Sequence, residues 1–173
     1  MIRKTTIIMS FICVVAFASL ASAQMNVAAK DVLSYLSGSW TTEYTFPGVG
    51  LVREETTYSK GANANTLKIT INVFSGEKQI DSGTGSISYD PATNTVSSDV
   101  NSNMTGAVYT SHEVKRDGAI TWLEGTSDDP MMAKFRVKIV VDSKDSHTWS
   151  MYLPDGDGWK QFMTTVYHRD KNK

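Results

Sequence analysis

Cysteine is almost absent: Cys13 is the only one in 173 residues. It lies in a stretch expected to be removed, so no disulfide can form within one finished chain. Stability in an oxidising compartment must then come from a packed core rather than from covalent staples. Runs of lysine or arginine are also absent, and the formal net charge is −1. This argues against nucleic acid or an anionic membrane surface as partner. After residue 23 no apolar stretch approaches the roughly 20 residues of a spanning helix. The sequence contains no GxSxG elbow, no HExxH and no phosphate-cradling glycine loop, so the positive case for an enzyme is empty.

The first residues read as a secretory signal peptide. Arg3 and Lys4 precede an apolar stretch from Ile7 to Leu20, and Ala21, Ser22 and Ala23 supply a small-x-small cleavage site. Cleavage before Gln24 is expected, leaving residues 24–173 as one domain secreted or held in the periplasm. Ser10, Phe11 and Ile12 ahead of Cys13 do not form a lipid-attachment motif. Loss of this segment removes two basic residues and no acidic one, which takes the net charge from −1 to −3.

The remaining chain switches period once. Val32, Leu33 and Leu36 recur at helical spacing within Asn26 to Ser37, and Gly38 supplies a stop. Beyond it the period is two. Trp40, Thr42, Tyr44 and Phe46 share one strand face ending at Pro47 and Gly48, as do Leu67, Ile69, Ile71 and Val73 before Ser75. Phe135, Val137, Ile139 and Val141 alternate with Lys134, Arg136 and Lys138, giving one core face and one wet face. Turn residues punctuate the rest at hairpin spacing. About ten strands without intervening helices predict an all-β, antiparallel up-and-down barrel, which leaves no sheet edge exposed. Ser97 to Ser111 is polar and weakly patterned.

Several arrangements look chemical and have plainer explanations. Asp155 to Gly158 echoes the start of a calcium loop, but position twelve would be Val166 instead of glutamate, so a hairpin turn is expected. Glu54 with Glu55, and Asp128 with Asp129, are neighbours that point to opposite faces of a strand and cannot act as an acid–base pair. Both pairs read as solvated. His112, His147 and His168 lack metal-ligand spacing, so no metal site is expected. Gly83 and Gly85 suggest a bend at a barrel corner.

Gly38, Ser39 and Trp40, following a short helix, resemble the Gly-x-Trp opening of lipocalins and other calycins. Tyr89 to Pro91, Asp145 to Thr148, Met151 with Tyr152, and Tyr167 with Arg169 extend the likeness to a bacterial secreted, lipocalin-like family catalogued as a domain of unknown function. This resemblance implies a barrel of about ten strands and carries no catalytic residue or cofactor. It also implies that Arg169 stacks on Trp40 in a structural role. A related branch, the nitrobindins, binds haem through a histidine, for which His147 or His168 would have to serve; both read as surface or rim residues. The expected partner is a small hydrophobic or amphipathic ligand inside the barrel. Tyr44, Ile69, Ile71, Tyr89, Trp122, Phe135, Val137, Trp149 and Met163 are the candidate lining residues. A haem protein or enzyme on the same scaffold, and a barrel filled by its own side chains, remain the alternatives.

Overall fold

The computed structural model describes residues 24–172 apart from Pro47 and Met131. The expected signal peptide, with Cys13, and the strand stop at Pro47 lie outside the described residues. Ten antiparallel strands follow one short helix, α1 (Val32–Leu36). They are β1 (Gly38–Phe46), β2 (Gly50–Lys60), β3 (Thr66–Ser75), β4 (Lys78–Asp90), β5 (Thr95–Ser102), β6 (Val108–Asp117), β7 (Ile120–Ser127), β8 (Lys134–Ser143), β9 (Ser146–Asp155) and β10 (Gly158–Arg169). Each pairs with its sequence neighbours, and β10 returns to β1, so the sheet is a closed up-and-down barrel.

The alternating residues that predicted the strands also set their register. Leu67, Ile69 and Ile71 of β3 stand opposite Ile87, Gly85 and Gly83 of β4. The corner expected at those glycines is built by close backbone approach: a Cβ on Gly85 would fall on the Asp99 carbonyl of β5. Only glycine admits that approach. Gly125 in β7 has a comparable role, since a Cβ there would collide with the Phe135 ring. The weakly patterned stretch resolves into the end of β5 and the start of β6, whose inward Ser98 and Ser111 hydroxyls bond at 2.9 Å. Asp155 to Gly158 is a hairpin turn with Gly156 at φ 57°.

The helix is shorter than its sequence pattern predicts. A 3-10 turn, Ala29–Asp31, precedes the five residues of α1. So short a helix has no stability of its own and must be held by its surroundings. Ala29, Leu33 and Leu36 pack on Ile69, Ile87 and Val96, plugging one end of the barrel. The Trp40 indole N–H donates to the Leu36 carbonyl at 2.6 Å. Arg116 donates to the Val27 carbonyl at 2.8 Å while ion-paired with Glu113, tying the leading segment to β6. The turns at 48–49, 76–77, 103–107, 128–130 and 156–157 surround the opposite end, which no helix among the described residues covers.

Arg169 fastens the plugged end. Its guanidinium carbon lies 4.3 Å from the Trp40 ring centroid. Its Nη1 donates to the Ser37 carbonyl at 2.6 Å and its Nη2 to the Tyr35 carbonyl at 2.5 Å. One side chain therefore joins the last strand, the first strand and the end of the helix. Arg169→Ala is expected to lower unfolding free energy by about 2–4 kcal/mol, combining a partly desolvated cation–π contact with charged hydrogen bonds. Urea denaturation checks this, and Arg169→Lys should recover only part of the loss because an ammonium cannot reproduce the planar fork.

Candidate functional site

The barrel lumen is lined by the inward row of each strand. Tyr44, Ile69, Ile71, Tyr89, Phe135, Val137, Trp149 and Met163 occupy such positions, as their register partners and packing neighbours show. Ile69, Phe135 and Val137 are buried, whereas Tyr44, Ile71, Tyr89, Trp149 and Met163 are half-buried. Trp122 is a correction. It pairs across from Lys138 and packs on the outer wall, 5.5 Å from the Tyr152 ring and under the Lys138 ammonium. Thr121 and Leu123 take the inward positions of β7 and are buried. An aromatic flanked by two core-compatible residues leaves the choice of face to the neighbouring strands.

A second correction concerns the carboxylates. Glu54 was expected to be solvated with Glu55, but strand alternation sends Glu54 inward, where it is half-buried, and leaves Glu55 outside beside Arg53 at 2.9 Å. Inside the barrel Tyr167 and Thr56 donate to Glu54 Oε1 at 2.7 and 2.9 Å, and Tyr44 donates to Oε2 at 3.2 Å. Tyr58 lies close enough to feel the same charge. Burial first, and the Glu54 carboxylate second, push the phenols of Tyr44, Tyr58 and Tyr167 above their ordinary range. They therefore remain donors throughout the physiological range. A signal was available in the inward row Val52, Glu54, Thr56, Tyr58, where a glutamate interrupts otherwise core-compatible residues.

The histidines also divide. His147, expected at a rim or surface, is 4% exposed. Its ring stacks on Tyr167 at 5.1 Å and meets Trp40 edge-on at 4.6 Å, and its Nδ1 is 3.5 Å from the Tyr35 hydroxyl. Desolvation, aided by the Arg169 charge, lowers its pKa to about 4. Rings cover it on several sides, so it offers no open approach to a haem iron. His112 and His168 are exposed. Among the described residues no group of His, Cys, Asp and Glu is placed to hold a metal.

The barrel closes at the seam between β1 and β10. β1 and β10 pair only at Trp40 with Arg169 and at Thr41 with His168. Beyond these pairs the Thr165 hydroxyl meets that of Thr42 and donates to the Glu43 carbonyl at 3.2 Å, standing in for a missing ladder bond. A groove of about 810 Å³ follows, lined by Thr42, Tyr44, Met163 and Thr165 of the inward rows and by outer-face residues that include Glu43, Arg53, Phe162 and His168. Tyr44 thus stands both at this groove and on Glu54.

A family model described as "Protein of unknown function (DUF1579)" matches residues 27–169. No curated protein matches the chain. Among solved structures, the S-type phycobiliprotein lyase CPES from Guillardia theta is similar at TM-score 0.56 and 12% identity, with 91% of this chain and 99% of that chain covered. A further solved structure, EF1p2_mFAP2b bound to DFHBI, matches at TM-score 0.47 and 14% identity over 83% of this chain and 100% of that one. At these identities the likeness to the lyase is one of fold.

The burial of neutral His147 has a consequence for pH. Its folded pKa lies below the ordinary 6.5, so the unfolded chain takes up a proton first as pH falls. The contribution of this group is intact above about pH 6.5 and is lost between 6.5 and 4, amounting to about 3 kcal/mol at the acid end. Denaturant midpoints measured across that window should fall in the wild type and flatten in His147→Gln. Equal slopes would show that other groups carry the dependence.

Proposed function

We propose that this chain, which belongs to the family of proteins of unknown function DUF1579, binds a small hydrophobic or amphipathic molecule in its barrel lumen. One observation carries the reading. Ile71, Val100, Ile139, Trp149 and Met151 sit on inward rows in the middle of the wall, yet each remains half-buried. A barrel filled by its own side chains would bury them as it buries Ile69 and Val137. The lumen is plugged at one end by α1, apolar along β8 and β9, and polar at Glu54, the usual composition of a pocket that holds an apolar body and orients one polar group. The short helix leading into Gly38–Trp40, with Arg169 over the indole, supports reading the barrel as lipocalin-like.

The same reading places the protein outside the cytoplasm, cleaved before Gln24. The charged start, apolar core and Ala21 to Ala23 site support it. Every strand and the plugging helix lie downstream of that cut, as does the bond from the Met25 amide to the Val141 carbonyl. N-terminal sequencing of protein recovered from its own host should begin at Gln24, and an intact Met1 would overturn the export reading.

Fatty acids, fatty alcohols, alkylamines, isoprenoids and haem, each titrated into purified protein, should include at least one ligand that shifts both tryptophan fluorescence and melting temperature. Met151→Trp, which adds bulk to the half-buried lumen wall, should abolish that shift while leaving a folded barrel. A panel in which nothing shifts either signal would leave the outer surface as the working part of the molecule.

A further inference from the structure

Glu54 is an unusual residue to find on the inward face of a barrel. Three hydroxyls donate to it, all of them neutral. Among the described residues no lysine, arginine or histidine pairs with it, in contrast to the ion pairs of Glu55, Glu113 and Glu124 with arginines elsewhere in the fold. Asp81 adds to the negative field, near enough to Tyr44 to raise its pKa further. The Asp81 carboxylate is itself held by neutral donors, the Ser102 hydroxyl at 3.1 Å and the Ser82 and Met104 amides at 2.7 and 3.0 Å. Oε2 of Glu54 has one hydroxyl donor, at 3.2 Å, whereas Oε1 has two at shorter range. A carboxylate oxygen can accept more than one bond, so Oε2 keeps acceptor capacity beside its single donor, Tyr44.

We infer that Glu54 anchors a cationic headgroup, so that the ligand is an amphipathic amine: an apolar body lying against Ile139, Trp149 and Met151, with a protonated nitrogen donating to Glu54 Oε2. The inference rests on the lumen-binding reading above and adds the sign of the headgroup. An anionic headgroup at the same place would meet the Glu54 carboxylate, with the Asp81 charge adding to the repulsion and no cation bonded there among the described residues. A hydroxyl could donate a neutral bond to Glu54, but an ammonium adds charge assistance in a partly desolvated site, which makes such a bond roughly twice as strong. The phenol oxygens of Tyr44 and Tyr167, which donate to Glu54, keep lone pairs that also suit a cation.

Three probes of equal chain length separate the possibilities: dodecylamine, dodecanol and dodecanoic acid at pH 7.4, below their aggregation limits, followed by isothermal calorimetry and tryptophan fluorescence. The amine should bind saturably at one per chain, at least about tenfold tighter than the alcohol, with the acid weakest. Glu54→Gln should reduce the amine to the affinity of the alcohol and leave the alcohol nearly unchanged. Glu55→Gln, which removes the same charge from the outer face, should alter neither. Binding of all three with equal affinity, or tightest binding of the acid, would overturn the cationic headgroup while leaving lumen binding in place. Binding of none of the three would overturn this inference, while the lumen reading is decided by the wider panel above. If Glu54→Gln fails to fold, the order of the three probes on the wild type decides the matter alone.

Discussion

Closing a sheet on itself requires its first and last strands to meet, and here they meet over two residue pairs. So short a ladder is weak support for a ten-stranded wall, and the burden falls on the Arg169 side chain above Trp40. Much else at that end depends on this contact. The indole that Arg169 covers also holds the last carbonyl of the helix, and the helix supplies the leucines that plug the barrel. His147 is kept dry by the same indole and by Tyr35, whose carbonyl Arg169 binds. The plug, the neutral histidine and the closure of the wall form one cooperative unit rather than three separate devices.

The lumen carries a different constraint. A carboxylate out of bulk water is costly unless its oxygens are satisfied. The three hydroxyls on Glu54 meet that requirement, and they are secured in return: the negative charge that they solvate is one of the forces holding the tyrosine protons in place. The arrangement is polar and self-supporting, yet it leaves a net charge on the inward face of a barrel whose β8 and β9 rows are apolar. Side chains on the outer wall are handled in the opposite way, by direct pairing, as Arg136 with Glu124 shows.

The architecture was legible in the sequence because alternation along β1, β3 and β8 is nearly unbroken and the turns are short. Gly85 was legible for a related reason, since a glycine inside a strand pattern implies close backbone approach. Much of the site was not. Period two states that Trp122 and Leu123 face opposite ways, but not which way is in; that depends on β6 and β8 through register, which local sequence does not encode. Glu54 and Glu55 posed the same problem, and the expectation that both would be wet overlooked that one of any adjacent pair must face the core side. His147 was misjudged because its burial depends on residues 35, 40 and 167, brought together only when the barrel closes. Contacts between the ends of a chain leave no periodic trace along it.

The plug at one end of the barrel divides the molecule into parts that can change independently. Ala29, Leu33, Leu36, Ile87 and Val96 concentrate the helix packing at the base, and the five turns at the other end contribute nothing to that cluster. Insertions or substitutions in those turns would alter the mouth of the cup without touching its foundation. The scaffold is in this respect well suited to divergence: descendants of one ancestral chain could acquire mouths of different width and polarity while the base stayed the same.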